Sequence, residues 1–356
     1  MKRNLDTYAT CLSRRKFLTG AAACALFGLT ACAAGPSFHD DSQALAPADD
    51  DPDAAITRAS TFAFDTVVDL GIYGNQSILD EALAACNRFD QLFSLQREGS
   101  DIWNINHAAG APCEVAPDTA DVIMKSLAFC AASEGTFDIT IGAVSTLWDF
   151  KEGIKPDDAV IQEAITHVNW KNVSVQGTTV QLSDPLAALD LGGIAKGWIA
   201  DALADLFRTR GVTSGIINLG GNVFALGEKP SGKPWLVGIR DPNTRAGKSV
   251  ATVEVRNRSV VTSGLYERHF VLDGVDYYHI LDPQTGYPAK TDIKSDTIIS
   301  ERSLDGDGLS TTLFIYGSQH AAQSIENRGD IEAIFMTDDG NTSFSSGFDT
   351  YHYRKL

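Results

Sequence analysis

The chain has 356 residues, of which 44% are hydrophobic and 21% are charged, and its sequence pI is about 4.7. Its 46 acidic and 29 basic residues give a formal net charge of -17, which repels a nucleic-acid backbone and excludes DNA and RNA as expected partners. The length allows a sizeable buried core, and the composition excludes a disordered chain, collagen-like repeats and a small disulfide scaffold.

Residues 1–31 are predicted to form an export signal. The stretch Ser13–Leu18, SRRKFL, is a twin-arginine signature, and the apolar run Ala21–Ala31 is too short to cross a bilayer as a helix. The run ends in the letters LTAC, which resemble the lipobox of bacterial lipoproteins, so we expect a lipid anchor on Cys32. Simple signal cleavage nearby, or a chance cysteine among small residues, is the alternative.

Residues 32–58 are rich in Gly, Pro, Ser, Ala and Asp and show little apolar periodicity, which predicts a flexible tether. The folded body is then expected over residues 59–356. Its three cysteines are Cys86, Cys113 and Cys130. Since three is odd, at least one thiol is unpaired, and no pair has the spacing of a metal site.

The first part of the body alternates between strand and helix patterns. Residues 61–73 alternate between apolar and polar side chains, which predicts one strand. Apolar residues recur at helical spacing behind Ser77, a candidate N-cap, and Pro117 with Asp118 opens a second helix. A third helix is predicted from about Asp157 to Val168.

The second half is richer in strands, and Asp273-Gly274 is a hairpin turn that joins two of them. One helix is predicted from Gly193 to Arg210, with Gly211 as its C-terminal cap. Because the order of elements is not a regular βαβ alternation, the predicted fold class is α+β, with mixed sheets and packed helices. The other strands are predicted at residues 215–218, 235–240, 250–256 and 259–262.

Four polar clusters carry the candidate chemistry: residues 190–197 (DLGGIAKG), 262–268 (TSGLYER), 279–286 (HILDPQTG) and 307–311 (DGLST). In the first cluster, Asp190 precedes a glycine pair at a helix start and Lys196 lies one turn in, an arrangement that suits a phosphate. The spacing matches neither a Rossmann fingerprint nor a P-loop. A glycine-rich turn with a solvated lysine is the alternative.

Asp307 and Thr311 are four residues apart and would share one face of a helix. Their oxygens, completed by a main-chain carbonyl and phosphate oxygens, are ligands of the kind that Mg²⁺ prefers. An N-cap aspartate followed by a buried threonine is the alternative. Taken alone, His279 at the end of a strand is by default structural, and Asp282 is by default a turn residue.

These four clusters, in this order, resemble the ApbE family of bacterial flavin transferases, and the similarity extends from about Thr61 to Thr350. The resemblance implies an ApbE-like, T-fold-related architecture. It also implies a Mg²⁺-dependent enzyme that cuts FAD at its pyrophosphate, attaches FMN through a phosphoester bond to a Thr or Ser hydroxyl of a target protein, and releases AMP. FAD would then be the substrate and Mg²⁺ the cofactor.

The resemblance also implies roles for individual residues. Magnesium would be held by the carbonyl of Gly193 and by the side chains of Asp307 and Thr311. The turn Gly220-Gly221-Asn222 would be structural and lie near the pocket. The residues implied to line the FAD site are Phe64, Gln96, Thr136, Phe137, Asp138, Asp190, Lys196 and Leu281.

Two positions depart from the family pattern. Gln96 stands where some members present an aromatic ring to the flavin, so stacking is expected to be absent there. Gly308 stands where the family usually has Ala, which lowers helix propensity by about 1 kcal/mol but leaves both metal ligands in register.

His279 is the expected general base, because an imidazole titrates near neutral pH, and Asp282 is expected to orient or assist it. An FAD pyrophosphatase that uses water, giving FMN and AMP, and a lipoprotein that binds FAD without turnover are the alternatives. The export signal predicts a protein anchored to the inner membrane and facing the periplasm. Its expected acceptor is a subunit of a membrane redox complex.

Overall fold

The computed structural model describes residues 55–244, 248–326 and 328–356. The predicted export signal, Cys32 and most of the predicted tether lie outside these residues. Within the described ranges, no helix is long and apolar enough to cross a membrane.

The elements follow one another as an α+β chain. The helices are α1 (Gln76–Phe93), α2 (Asp101–Asn106), α3 (Pro117–Ala132), α4 (Gly142–Ser145), α5 (Asp158–Ala164), α6 (Ala195–Thr209), α7 (Ser303–Tyr316) and α8 (Ser318–Ile325). The strands are β1 (Thr57–Ala63), β2 (Thr66–Ile72), β3 (Cys113–Glu114), β4 (Val173–Gln176), β5 (Thr179–Leu182), β6 (Gly215–Leu219), β7 (Asn222–Leu226), β8 (Trp235–Arg240), β9 (Ser249–Val255), β10 (Arg258–Gly264), β11 (His269–Leu272), β12 (Val275–Tyr278), β13 (Ile293–Ser300), β14 (Ile331–Thr337), β15 (Thr342–Phe344) and β16 (Arg354–Lys355).

The main sheet has the order β1-β2-β6-β7-β10-β13-β14-β15, and its neighbouring strands are antiparallel. Smaller sheets have the orders β16-β9-β8 and β3-β5-β4, and β11 pairs with β12 alone. Antiparallel sheets combined with packed helices confirm the predicted α+β class.

The main sheet packs against helices in one core cluster and against the β8–β9 sheet in another. Residues of α1 and α6, such as Phe207, form one core cluster with Leu70 of β2 and Ile217 of β6. Another cluster joins strands of the main sheet to the β8–β9 sheet, with Trp235 buried at its centre. Burying a large apolar side chain contributes about 1.5–3 kcal/mol, so both layers are held mainly by the hydrophobic effect.

The predicted single strand over residues 61–73 is wrong, because the chain folds there into the β1–β2 hairpin. Phe64 and Asp65 form the turn, and both have a φ of 57°. A two-residue hairpin turn with positive φ at both positions is of type I′, which normally selects Asn or Gly. A phenylalanine there continues the apolar alternation, so the pattern conceals the turn.

The other predictions of elements differ from the structure mainly at their ends. The helix predicted behind Ser77 begins at Gln76, with Asn75 rather than Ser77 as N-cap. The helix predicted to begin at Pro117 is confirmed, and so is the hairpin turn at Asp273-Gly274. Gly211 lies one residue beyond the C-cap of α6 and has a φ of 77°, which a glycine adopts without strain.

The three cysteines of the described body are free thiols. Cys86 and Cys130 are buried, and burial raises the pKa of each to about 12. Their thiols are therefore neutral and unreactive at physiological pH.

Candidate active site

The site is built where α6 and α7 cross. A Cβ atom on Gly197 would lie 2.5 Å from the Ser303 carbonyl oxygen and 2.7 Å from Cβ of Asp307, so only glycine permits this approach. The Gly197 N–H donates a 2.7 Å hydrogen bond to Oδ2 of Asp307. The crossing therefore fixes one carboxylate oxygen and holds the side chain where the two helices meet.

The three predicted magnesium ligands come together at this crossing. Asp307 and Thr311 lie one turn apart in α7, and Gly193 lies in the turn that leads into α6. A Cβ atom on Gly193 would lie 3.1 Å from Oγ1 of Thr311. The alternative of an N-cap aspartate at Asp307 is wrong, because α7 begins at Ser303 with Arg302 as its N-cap.

Burial raises the pKa of the Asp307 carboxyl, while Lys196 and the Gly197 N–H oppose that effect. Asn222, at the start of β7, also lowers this pKa. Its Oδ1 accepts a 2.7 Å hydrogen bond from the hydroxyl of Ser303, which leaves its amide N–H groups as the donors that stabilise the Asp307 carboxylate. Asn222 follows the predicted turn at Gly220 and Gly221, which have φ values of 62° and 97°.

Within the described ranges, no group of three or more His, Cys, Asp or Glu side chains is arranged to hold a metal ion. The predicted set is of a different kind, because it combines one carboxylate with a hydroxyl and a main-chain carbonyl. Such a set needs further oxygens from water or a phosphate to complete an octahedral magnesium shell.

His279 follows β12. Its main-chain N–H donates a 3.1 Å hydrogen bond to the main-chain carbonyl of Arg268, which precedes β11. Its Nδ1 is buried without a partner. Burial, followed by the positive charges of Arg268 and Lys196, lowers the pKa of His279 to about 3. The ring is therefore neutral at physiological pH and able to accept a proton.

Asp282 lies in a turn. Its Oδ1 accepts a 2.8 Å hydrogen bond from the N–H of Gln284, and its carbonyl accepts from the N–H groups of Thr285 and Gly286. These bonds give Asp282 a turn-closing role. Its predicted action on His279 stays a prediction.

Two predicted FAD-site aspartates hold loops at the edge of the site. Asp190 accepts from the N–H of Gly192 at 2.8 Å and from the hydroxyl of Ser145 at 2.6 Å. Asp138 is buried and accepts from the N–H and hydroxyl of Thr140 and from the N–H of Trp170. Burial raises the pKa of Asp138, and these donors oppose the rise.

The loops of Asp138 and Asp190 meet at Phe137. A Cβ atom on Gly193 would lie 3.2 Å from Cε2 of Phe137, whose side chain is buried. Thr136 is half-buried directly before it. The structure thus brings Phe137 against Gly193, one of the predicted metal ligands, with Thr136 next to it in the chain.

The remaining predicted FAD-site residues are more dispersed. Phe64 is half-buried in the β1–β2 turn, and its neighbour Asp65 lies 3.8 Å from Arg268. Leu281 is buried in a cluster with Trp148, so its side chain belongs to the core. Gln96 is exposed in the loop after α1.

Sequence reasoning assigned no role to Glu267. Its residue surface is exposed, but the carboxyl group is partly desolvated by the protein around it, and this desolvation raises its pKa. The positive charges of Lys196, Arg240 and Arg268 oppose the rise. The charge of Lys196 therefore acts on Glu267 as well as on Asp307 and His279. The TSGLYER cluster contained the signal for it, but the motif alone did not distinguish its members.

Asp296 was also missed. It is fully buried in β13, and burial raises its pKa to about 8. Its Oδ1 accepts a 2.8 Å hydrogen bond from Ser310, which lies between the two predicted metal ligands of α7, and its Oδ2 has no partner. Because β13 was not predicted, nothing in the sequence showed that this carboxyl group is buried beside α7.

Comparisons with known proteins identify the family. The model of the ApbE family matches residues 64–335. The FAD:protein FMN transferase of Treponema pallidum is 36% identical over 287 residues, which cover 76% of this chain and 79% of the relative. A Klebsiella pneumoniae protein of the same name is 38% identical over 277 residues, covering 75% and 86%.

Solved structures show the same similarity. The crystal structure of the ApbE protein from Thermotoga maritima superposes with a TM-score of 0.76 at 30% identity, covering 83% of this chain and 99% of that one. The flavin transferase ApbE from Vibrio cholerae gives a TM-score of 0.74 at 26% identity, covering 84% and 99%.

Proposed function

The chain belongs to the ApbE family, and from this premise we propose how its own residues transfer FMN from FAD to a protein. Its curated relatives are named FAD:protein FMN transferases, and this chain is an enzyme of that kind. The finer points proposed here are the dependence on magnesium, the acceptor hydroxyl of a Thr or Ser, the residue roles and the location.

Magnesium fits the donor set at the crossing of α6 and α7. The carboxylate of Asp307, the hydroxyl of Thr311 and the carbonyl of Gly193 are hard oxygen donors, and one oxygen of Asp307 is already oriented by Gly197. A magnesium ion held there would neutralise negative charge on the pyrophosphate of FAD.

Lys196 lowers the pKa of Asp307, and Lys196 and Arg268 together lower the pKa of His279 and of Glu267. Lys196 therefore supplies positive charge at the crossing, and both cations supply it near His279. Their role is to bind the pyrophosphate and stabilise the negative charge that builds up on the leaving AMP. The glycine-rich turn that ends at Gly193 lets the nucleotide approach the main chain closely.

In the transfer step, the acceptor hydroxyl oxygen attacks the phosphorus of the FMN half. The new P–O bond forms as the bond to the AMP oxygen breaks, and the hydroxyl proton moves to the neutral ring of His279. Burial is the main cause of the low pKa of His279, and the charges of Arg268 and Lys196 add to it. Bound pyrophosphate would offset the contribution of the two charges and so raise this pKa, which makes the ring a stronger base.

The convergence of Gly193, Lys196, Asp307 and Thr311 at one helix crossing is the observation that supports this proposal. The hydrogen bond from Gly197 to Asp307 joins residues 110 positions apart in the chain. Two distant segments therefore present one carboxylate, one hydroxyl and one ammonium group to the same space.

The test is to incubate the purified protein with FAD and a protein substrate of the Vibrio cholerae relative, with magnesium or with EDTA. We expect the intact mass of the acceptor to rise by one FMN, with one AMP released per transfer, only when magnesium is present. AMP release without modification of the acceptor would identify a pyrophosphatase instead. FAD binding with no AMP released would identify a carrier.

We further propose that the protein is exported and held by a lipid on Cys32 at the inner membrane, facing the periplasm. The twin-arginine stretch Ser13–Leu18 and the lipobox-like LTAC support this location. The acceptor would then be a subunit of a membrane redox complex with its flavinylated Thr or Ser on the same side.

A further inference from the structure

The paired strands β11 and β12, with the turn Asp273-Gly274, form a two-stranded ribbon that begins and ends at the site. Arg268 precedes the first strand and His279 follows the second, and the His279 N–H is bonded to the Arg268 carbonyl at 3.1 Å. The end of the ribbon nearest the site is therefore formed by His279, the proposed proton acceptor, and by Arg268, one of the two cations proposed to bind the pyrophosphate.

The lower part of the ribbon is packed against the body. Phe270 and Tyr277 stack with their ring centroids 5.4 Å apart. The ring centroid of Phe270 also lies 5.9 Å from that of Phe150, and the ring centroid of Tyr277 lies 5.6 Å from that of Trp148. These contacts fix the direction in which the ribbon leaves the site.

The tip of the ribbon is apolar and exposed. Val271 is 63% exposed, Leu272 is 40% exposed and Val275 is 51% exposed. Single exposed apolar residues need no explanation, but three lie within two residues of the turn. Leu272 and Val275 pair across the two strands on one face of the ribbon, and Val271 lies on the other face, opposite Asp276. Within the described ranges, no core cluster includes any of the three.

The tip lies within the area that a protein substrate must cover. From Arg268 to Leu272 the strand rises by about 13 Å at about 3.3 Å per residue. A protein partner covers about 800 Å² of each surface, equivalent to a disc with a radius of about 16 Å. A protein whose hydroxyl reaches His279 would therefore extend as far as the tip.

We propose that the tip of the ribbon, formed by Val271, Leu272 and Val275, is a docking surface for the protein acceptor. The inference rests on the proposed function, because it requires a protein as second substrate. The acceptor would present an apolar patch about 13 Å from its reactive Thr or Ser. Burying the two patches together would supply affinity. FAD itself would make no contact with the tip.

The test replaces Val271, Leu272 and Val275 together with glutamine, which adds no hydroxyl that could itself accept FMN. The matched control is Leu236→Gln, because Leu236 is also an exposed strand residue, 38% exposed, but lies in the β8–β9 sheet. Both variants are assayed with FAD, magnesium and a protein substrate of the Vibrio cholerae relative, with the concentrations of acceptor and FAD varied separately.

For the triple variant we expect the KM for the acceptor to rise by about tenfold, while kcat and the KM for FAD stay within about twofold of the unchanged protein. Leu236→Gln should leave all three constants unchanged. An unchanged acceptor KM, or a raised KM for FAD, would overturn the proposal. So would a monomer–dimer shift or a loss of vesicle binding in the triple variant with acceptor KM retained, since the tip would then serve another partner.

The two proposals fail in different ways. If the unchanged protein modifies no acceptor while releasing AMP from FAD, the proposed function is wrong and the docking surface falls with it. If the unchanged protein transfers FMN and the triple variant does so with the same acceptor KM, only the docking surface is wrong.

Discussion

Asp307 combines a structural bond with the proposed metal ligation, and the two can be separated by substitution. In Asp307→Asn the amide oxygen can still accept from Gly197, but the negative charge is lost. We predict that FMN transfer falls by about 100-fold or more, because the charge that binds magnesium is gone, while the thermal midpoint changes little.

The measurement is the initial rate of transfer at several magnesium concentrations, together with thermal unfolding. Asp305→Asn is the matched control, since Asp305 lies in the same helix two residues away. It is neither a proposed magnesium ligand nor a proposed FAD-site residue. Equal rates for Asp307→Asn and the unchanged protein at saturating magnesium would rule out the proposed ligand.

His279 should also make stability depend on pH. Its pKa is about 3 in the folded protein, against about 6.5 for an unperturbed imidazole, so the unfolded chain binds the proton more readily. The contribution of this group to stability is therefore complete above pH 6.5 and declines as the pH falls toward 3. We predict that His279→Gln weakens this acid-dependent loss.

Urea unfolding at pH 7, 6, 5 and 4 measures this effect. The free energy of unfolding of His279→Gln should fall less steeply over this range than that of the unchanged protein. His320→Gln, which removes an exposed histidine of α8, should follow the unchanged protein. Parallel curves for the His279 variant and the unchanged protein would show that the ring is protonated equally in both states.

Gly308 has a packing reason in this chain. A Cβ atom at position 308 would lie 2.9 Å from Cδ1 of Phe129, a ring atom of α3. Gly308→Ala gains about 1 kcal/mol of helix propensity, but overpacking costs about 1–3 kcal/mol, so we predict a net loss of stability. Gly308→Ala combined with Phe129→Leu should restore the free energy of unfolding, as measured in urea, whereas Phe129→Leu alone should lower it.

Among the elements, the β1–β2 turn places a non-glycine residue in a strained conformation. Asp65 has a φ of 57°, and its side chain forms a long, exposed ion pair with Arg268 and no other bond to the part of the chain that the structure describes. We predict that Asp65→Gly raises the free energy of unfolding by about 0.5–1 kcal/mol and that Asp65→Ala lowers it, because alanine avoids positive φ. Urea unfolding of both variants decides the point, and equal effects of Gly and Ala would contradict it.

The predictable elements carry local signals. Pro117 fixes its own φ at the start of α3, and Gly274 adopts the positive φ that the turn of the ribbon needs, so the sequence predicted both correctly. The missed strands β7 and β13 are buried on both faces, so their side chains do not alternate between apolar and polar. Such strands are specified by the layers that cover them, which no local pattern shows.

The same distinction holds for the site in the whole molecule. The family resemblance placed Gly193, Lys196, Asp307 and Thr311 in one set, and the fold brings them together. Glu267 and Asp296 belong to the surroundings of that set only because β10, β13 and α7 are neighbours. Burial and shared charge are properties of the assembled fold, so a single sequence does not reveal them.

Membrane attachment is the remaining property of the whole molecule. The net charge of -17 repels an anionic membrane surface, so charge alone would not hold the protein there. If Cys32 carries lipid, we predict that the protein incorporates a radiolabelled fatty acid in a bacterial host and sediments with the membranes.

Cys32→Ser should abolish the label and move the protein to the soluble periplasmic fraction while retaining FMN transfer. Cys86→Ser, which removes a buried thiol of α1, is the control and should retain the label. Label that persists in Cys32→Ser would show that the anchor lies elsewhere.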